Sequence, residues 1–314
     1  MKLLISGDLH LRHTKPRCRT DASFFDMQKL TLQAMNMIAE REQVFGIVLL
    51  GDVFDQGAVS QQIEQLFLDI ASAQSSVPWY IMPGNHDLPQ HSWKNVFNSS
   101  FGVIWTHAHC NFSARQGIQP LDELMDWEHF QEPREIVKAS KQDTKHILAV
   151  HRLVCPEDMT IPNTKLVHPS ELFSLVHAPE KTIILAGDYH AGHEWRSQRT
   201  EGKLVIVPGC TIRMKADEKD YKPSVVILDT DNLTYKRELL PDAQPAFYDL
   251  VVDDYLTEKE TREDIHDAQF DEVIELAKGL SVDSIDYIQN VRTALESGKH
   301  SQQMVAEVLA AIEE

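Results

Sequence analysis

A chain of 314 residues, 42% hydrophobic and 25% charged, can bury a large core and has the composition of a soluble globular protein. No apolar run approaches the roughly 18 residues of a membrane span, and the apolar start MKLLIS is too short for a secretory leader, so neither class is expected. The net charge of −18 argues against a broad polyanion-binding face, but residues 242–314 alone hold 18 acidic against 5 basic residues and leave only −5 for residues 1–241.

In chain order, short apolar runs end in Gly, Asp, Asn or His. KLLIS (2–6) leads to GDLH, FGIVLL (45–50) to GDVFD, and VPWYIM (77–82) to PGNHD. HILAV (146–150) leads to His151, TIILA (182–186) to GDYH, and KLVIV (203–207) to PGCT. Their length and their Val, Ile, Leu and aromatic content predict buried strands. Residues 24–42 and 61–74 carry apolar positions spaced by three and four and are predicted as helices, so the order strand–helix–strand implies an α/β sheet. SVVILDTD, from residue 224, and TYKRELL read as a hairpin. From about residue 257 the pattern becomes helical, over 258–278, 282–297 and 301–313. A boundary near 248 gives two domains, 1–248 and 249–314. Cys18, Cys110, Cys155 and Cys210 form no CxxC pair, which predicts reduced thiols and a cytoplasmic protein.

In open α/β sheets ligands gather at the carboxyl ends of strands. Those ends supply Asp8 and His10, Asp52, Asn85 and His86, His151, then Asp188 and His190. All are oxygen or imidazole donors, and none is a thiolate. Such a set suits manganese, iron or zinc in a catalytic centre better than a structural zinc. Each motif alone is weak, but five in order make a metal site the expected reading. Asp55 is expected to brace its loop, His193 to lie on a loop, and His107 and His109 to be solvent-facing strand residues.

The series GDLH, GDVFD, GNHD, His151 and GDYH resembles the calcineurin-type metallophosphoesterase superfamily, whose pattern is D-x-H, G-D-x-x-D, G-N-H-[DE], a single His and G-H-x-H. The resemblance covers residues 1 to about 230. It implies a four-layer αββα sandwich holding two divalent metal ions, followed by a small, mainly helical C-terminal capping or docking region. Carried over by position, Asp8, His10 and His190 hold the first metal, Asp52 bridges, and Asn85 and His151 hold the second. His86 binds no metal and instead stabilises the transition state and protonates the leaving oxygen. Asp87 either orients His86 and raises its pKa or only caps the turn. Where the family has His, this chain has Asp188, which as a ligand to the second metal would favour manganese over zinc.

The stretch IVPGCTIRMKADEKDYKPSVVILD (206–229) resembles SbcD-type DNA-repair nucleases, with Cys210 in place of a Ser, and QPAFYDLVV (244–252) is similar to that family's lead into a capping domain. That resemblance implies a manganese-dependent DNA exonuclease, with single-strand endonuclease activity as a further option. It also implies a C-terminal part that docks on an SbcC-type SMC-like ATPase, and a homodimer. Arg12, Lys15, Arg17 and Arg19 begin just after His10, so they either hold DNA phosphates at the rim of the metal site or form a solvated loop. Two other readings stay open: a phosphodiesterase or phosphomonoesterase for small substrates, and a catalytically weak metal-binding scaffold.

Overall fold

A strand that is apolar at every position has to be covered on both faces, because its side chains alternate between them. The computed structural model, which describes residues 1–72, 77–110, 117–121, 126–129, 146–160, 166–175, 181–199 and 202–243, meets that demand with two facing sheets and helices outside them. The elements in order are β1 (Lys2–Ser6), α1 (Phe24–Glu42), β2 (Gly46–Leu50), α2 (Gln61–Ala71), β3 (Trp79–Met82), α3 (Ser100–Cys110), β4 (Ile118–Pro120) and β5 (Asp126–His129). They continue with β6 (His146–His151), α4 (Pro169–Leu175), β7 (Thr182–Gly187), β8 (His193–Arg196), β9 (Lys203–Val207), β10 (Ser224–Asp229) and β11 (Thr234–Leu239).

One sheet runs β11-β10-β1-β2-β3-β4 and the other β5-β6-β7-β9-β8. Strands β1 to β4 are mutually parallel, as are β5, β6, β7 and β9, whereas β10, β11 and β8 join antiparallel. Alternation then assigns each layer. Leu3, Ile5, Val48 and Leu50 of the first sheet meet Ala149, Ile183, Leu185, Leu204 and Ile206 of the second. The intervening residues Leu4, Ile47 and Leu49 face Leu32, Met35, Ile63, Phe67, Phe101 and Ile104 of α1, α2 and α3. On the far side Leu148, Val150, Ile184 and Val205 pack on Leu172 and Phe173 of α4. The order helix, sheet, sheet, helix is the expected sandwich.

Two local expectations fail. THAHC (106–110) closes α3 and is not a strand, because Phe101, Ile104, Trp105 and Ala108 form a helical apolar stripe that leaves His107 exposed. His193 opens β8, paired with Val207, and is not on a loop. Cys18, Cys155 and Cys210 are buried. Among the described residues no helix is long and apolar enough to cross a membrane. The chain divides into units Met1–Asp249 and Leu250–Glu314. The helices expected at 258–278, 282–297 and 301–313, the capping or docking role of 249–314 and the stretch 244–252 lie outside the described residues.

Candidate metal centre

The parallel strands of both sheets finish at one edge, and the residues after them are turned inward by unusual backbone. His10 (φ 46°), Asp52 (φ 49°) and Asp188 (φ 85°) all occupy the left-handed region that non-glycine residues avoid. Such geometry costs of order 1–3 kcal/mol per residue and marks sites where side-chain direction matters more than backbone ease. It is held by hydrogen bonds between loops: Leu9 and His10 N–H both donate to the Asp52 carbonyl, at 3.0 and 2.9 Å, and Thr211 N–H donates to the Asp8 carbonyl at 3.2 Å. Glycine permits the close approach. A Cβ on Gly84 would lie 2.0 Å from Asp52 Oδ1, and one on Gly51, itself at φ +91°, would lie 2.4 Å from His151 Nδ1.

Of the four groups of candidate donors among the described residues, one of which is His10, Asp55 and His86, two share Asp8. Donor atoms of Asp8, His10 and His190 lie within 4.8 Å of one another, as do those of Asp8, Asp52 and His151. Asp52 stands between them, its Oδ2 lying 3.4 Å from His151 Nε2 and 3.7 Å from His10 Nε2. Asn85 completes the second cluster, with Oδ1 2.8 Å from His151 Nε2. A cavity of about 620 Å³ opens above, lined by His86, Asp188, Tyr189 and Lys215 among others.

The arrangement fits cations. His151 Nδ1 donates to the Leu50 carbonyl at 2.7 Å, which leaves the Nε2 lone pair of the neutral ring facing the Asn85 oxygen, a second acceptor. His190 Nδ1 donates to Glu218 Oε1 at 2.7 Å, which aims its Nε2 at His10 Nε2 only 3.1 Å away. Lone pairs converging at these distances need a proton or a metal ion between them. Buried Asp8 and Asp52, with Asp188 beside them, supply the balancing negative charge.

The family model for the calcineurin-like phosphoesterases matches residues 1–227, more than two thirds of the chain. The chain belongs to that family. No curated protein matches it. Among solved structures it is similar to the protein TT1561 of Thermus thermophilus, at 13% identity and a TM-score of 0.44 over 76% of this chain and 98% of that one. It is also similar to an archaeal phosphodiesterase, at 15% identity and a TM-score of 0.37 over 76% and 100% of the two chains. A third is a dimetal phosphatase from Danio rerio, at 12% identity and a TM-score of 0.39 over 72% and 91%. The family is dimetal-dependent, and the two clusters are the candidate ligands of this phosphoesterase.

The ligand set is electrostatically poised. Burial raises the Asp8 carboxyl to about 6, with His151 and His190 opposing the rise. Burial also drives His10 down to about 3, keeping that imidazole neutral. His151 behaves oppositely: burial disfavours its charge, but Asp52 outweighs burial and lifts the ring to about 10. Burial alone would raise Asp52, yet the charge and hydrogen bond of His151 hold it below the usual carboxylate range. The raised His151 pKa contributes stability that is complete below 6.5 and is lost as pH rises through about 10. For binding, a metal ion needs the neutral ring. Manganese uptake near pH 7.5 is therefore expected to release a proton from His151, and affinity to rise with pH towards about 10. Calorimetric titration in two buffers of different ionisation enthalpy reads the release directly; identical heats in both would contradict it.

His86 lines the cavity next to the clusters, its ring edge-on to His10 at 4.8 Å. Its Nδ1 donates to the Asp55 carbonyl at 2.8 Å, so Nε2 is the atom left for substrate. Asp87 does not orient it, contrary to one of the two expectations. The fully buried Asp87 carboxylate accepts N–H groups from Val53, Phe54 and Gly84, at 3.1, 2.8 and 2.8 Å, and so clamps the GDVFD loop onto the GNHD turn. Asp55 braces as expected, through its carbonyl to His86 and its carboxylate to Arg12 at 3.1 Å. Asp188 lines the cavity and its N–H donates to Asp8 Oδ1 at 3.0 Å, but its carboxylate joins neither three-residue cluster; burial raises its pKa.

The basic stretch divides. Lys15 and Arg17 are exposed, and Arg12 lines the cavity while paired with Asp55. Arg19 cannot bind DNA phosphates. It is buried, bonded to Asp21 at 2.8 Å, to Asp242 at 2.7 Å and to the Arg213 carbonyl at 2.7 Å. A guanidinium taken out of water needs such partners, and Asp242, wholly buried itself, also receives Arg213. One functional residue escaped sequence reasoning altogether: Glu218, the carboxylate on His190, sits among Asp217, Lys219 and Asp220, and nothing in KADEKD distinguishes it from a solvated charge run.

Proposed function

We propose that this phosphoesterase is a two-metal phosphodiesterase that cuts DNA, like the SbcD-type nucleases that residues 206–229 resemble. The observation that carries the phosphodiesterase reading is the placement of His86 beside two metal clusters that share Asp8, all facing one cavity. Asp8, His10 and His190 would hold one cation, Asn85 and His151 the other, and Asp52 both. When bound, the cations supply Lewis-acid polarisation of the phosphoryl group and lower the pKa of an attacking water. The chain's own groups do the rest. His86, fixed through Nδ1, holds a proton at Nε2 and delivers it to the leaving oxygen. Lys215 and Arg12 line the cavity, where their charge offsets that of the substrate phosphates. Lys15 and Arg17 are the exposed cations of the stretch, left to meet a polynucleotide backbone. Manganese is the ion proposed, because the donors are carboxylates, an amide oxygen and imidazoles, with no thiolate among them.

A second reading, hydrolysis of a small phosphoester, is favoured by one observation: burial of Arg19 and pairing of Arg12 remove half of the expected DNA-binding stretch. A cavity of about 620 Å³ also has the volume of an ordinary small-molecule site. One experiment separates the two. Wild type and His190→Ala are incubated with manganese and 3′-labelled linear duplex DNA, and in parallel with a chromogenic phosphodiester and a phosphomonoester. The DNA reading expects label to be released by the wild type alone. Intact DNA with fast hydrolysis of a small ester would replace it with the second reading.

A further inference from the structure

We infer that Glu218 is a positioning residue of the metal centre, fixing the His190 imidazole so that Nε2 presents its lone pair to the cation. The inference rests on the two-metal reading above and adds a residue outside the five strand-end motifs that supply the metal ligands. The two oxygens of Glu218 have separate tasks. Oε1 accepts His190 Nδ1–H at 2.7 Å, while Oε2 accepts the N–H groups of Met214 and Lys215 at 2.6 and 3.0 Å. The residue is 8% exposed, so little water competes for its charge.

Its loop is held as firmly. Arg213 donates to the Lys219 carbonyl at 2.9 Å, and its own N–H and guanidinium both bond the buried Asp242. Cys210 N–H fixes the other end of the histidine by donating to the His190 carbonyl at 2.9 Å. The imidazole therefore has one tautomer and one orientation available, with Nδ1–H on Glu218 and Nε2 directed at His10. A carboxylate on the far nitrogen of a metal-binding histidine raises the basicity of the ring as well as aiming it, and its loss typically weakens metal affinity roughly 10–100-fold.

Glu218→Gln separates this role from turn capping. The amide oxygen can still cap Met214 and Lys215, but the NH₂ then faces His190 Nδ1. That favours the tautomer with the proton on Nε2, the atom needed for metal. Manganese titrations of wild type, Glu218→Gln and Glu218→Ala, with thermal unfolding of each, supply the test. Wild type is expected to bind two ions. Glu218→Gln should lose at least tenfold in affinity at one site, with the other retained and the unfolding temperature little changed; Glu218→Ala should weaken the same site at least as much. Two wild-type affinities in Glu218→Gln would overturn the inference while leaving the two-metal reading intact. Failure of the wild type to take up two ions would overturn both.

Discussion

Asp52→Asn is expected to lose both manganese ions, and with them all measurable phosphoesterase turnover, while keeping its fold. The substitution is nearly isosteric, and the amide oxygen can still accept the His86 N–H that Asp52 Oδ1 accepts at 2.9 Å. What disappears is one of the buried negative charges at the point where the two clusters meet, 3.4 Å from His151 and 3.7 Å from His10. No other side chain lies that close to both imidazoles among the ion pairs of the described residues. A neutral group there can neither balance two divalent cations nor draw both to one carboxylate. Equilibrium dialysis against manganese followed by metal analysis gives the stoichiometry. Two ions bound by Asp52→Asn with wild-type affinity would show that the carboxylate is not shared.

His86→Ser should leave both ions in place and cut turnover by roughly 10²–10⁴-fold, the usual contribution of a general acid. The two variants thus separate metal binding from proton transfer. His86 belongs to neither of the clusters built on Asp8, and its Nδ1 is committed to the Asp55 carbonyl. Its loss removes the Nε2 proton donor without removing a ligand. The deficit should shrink with a substrate whose leaving group is a stable anion, such as a nitrophenolate, because that oxygen needs no proton. Rates are compared at saturating manganese. A variant that cleaves an alkyl phosphodiester at a near-normal rate would remove His86 from the mechanism.

The fold was legible because its signal is local. Runs such as TIILA and GIVLL are apolar at every position, which only a strand covered on both faces tolerates, and each ends in the Gly-Asp or Gly-Asn that turns a side chain back over the strand end. The positions of Asp8, His10, Asp52, Asn85, His151 and His190 were legible for the same reason, since each lies at or just past the carboxyl end of a strand. What stayed hidden depends on partners distant in sequence. Arg19 reads as a rim cation until Asp242, 223 residues away, is seen to bury it. Glu218 reads as solvated until its oxygen is found on His190, 28 residues earlier. Asp87 is adjacent to His86, and adjacency suggested contact, but in a tight turn neighbouring side chains diverge, and its carboxylate points to Val53 and Phe54. The HxH spacing of His107 and His109 mimics a strand, while the stripe that makes the segment helical begins at Phe101.

One carboxylate, Asp52, is proposed to join two metal sites at the ends of these strands. Anomalous diffraction at the manganese edge, from crystals of the protein grown with the metal, tests it most directly. Two manganese ions per chain are expected, one on Asp8, His10 and His190, one on Asn85 and His151, and both touching Asp52. A single ion, or two ions of which only one contacts Asp52, would contradict it.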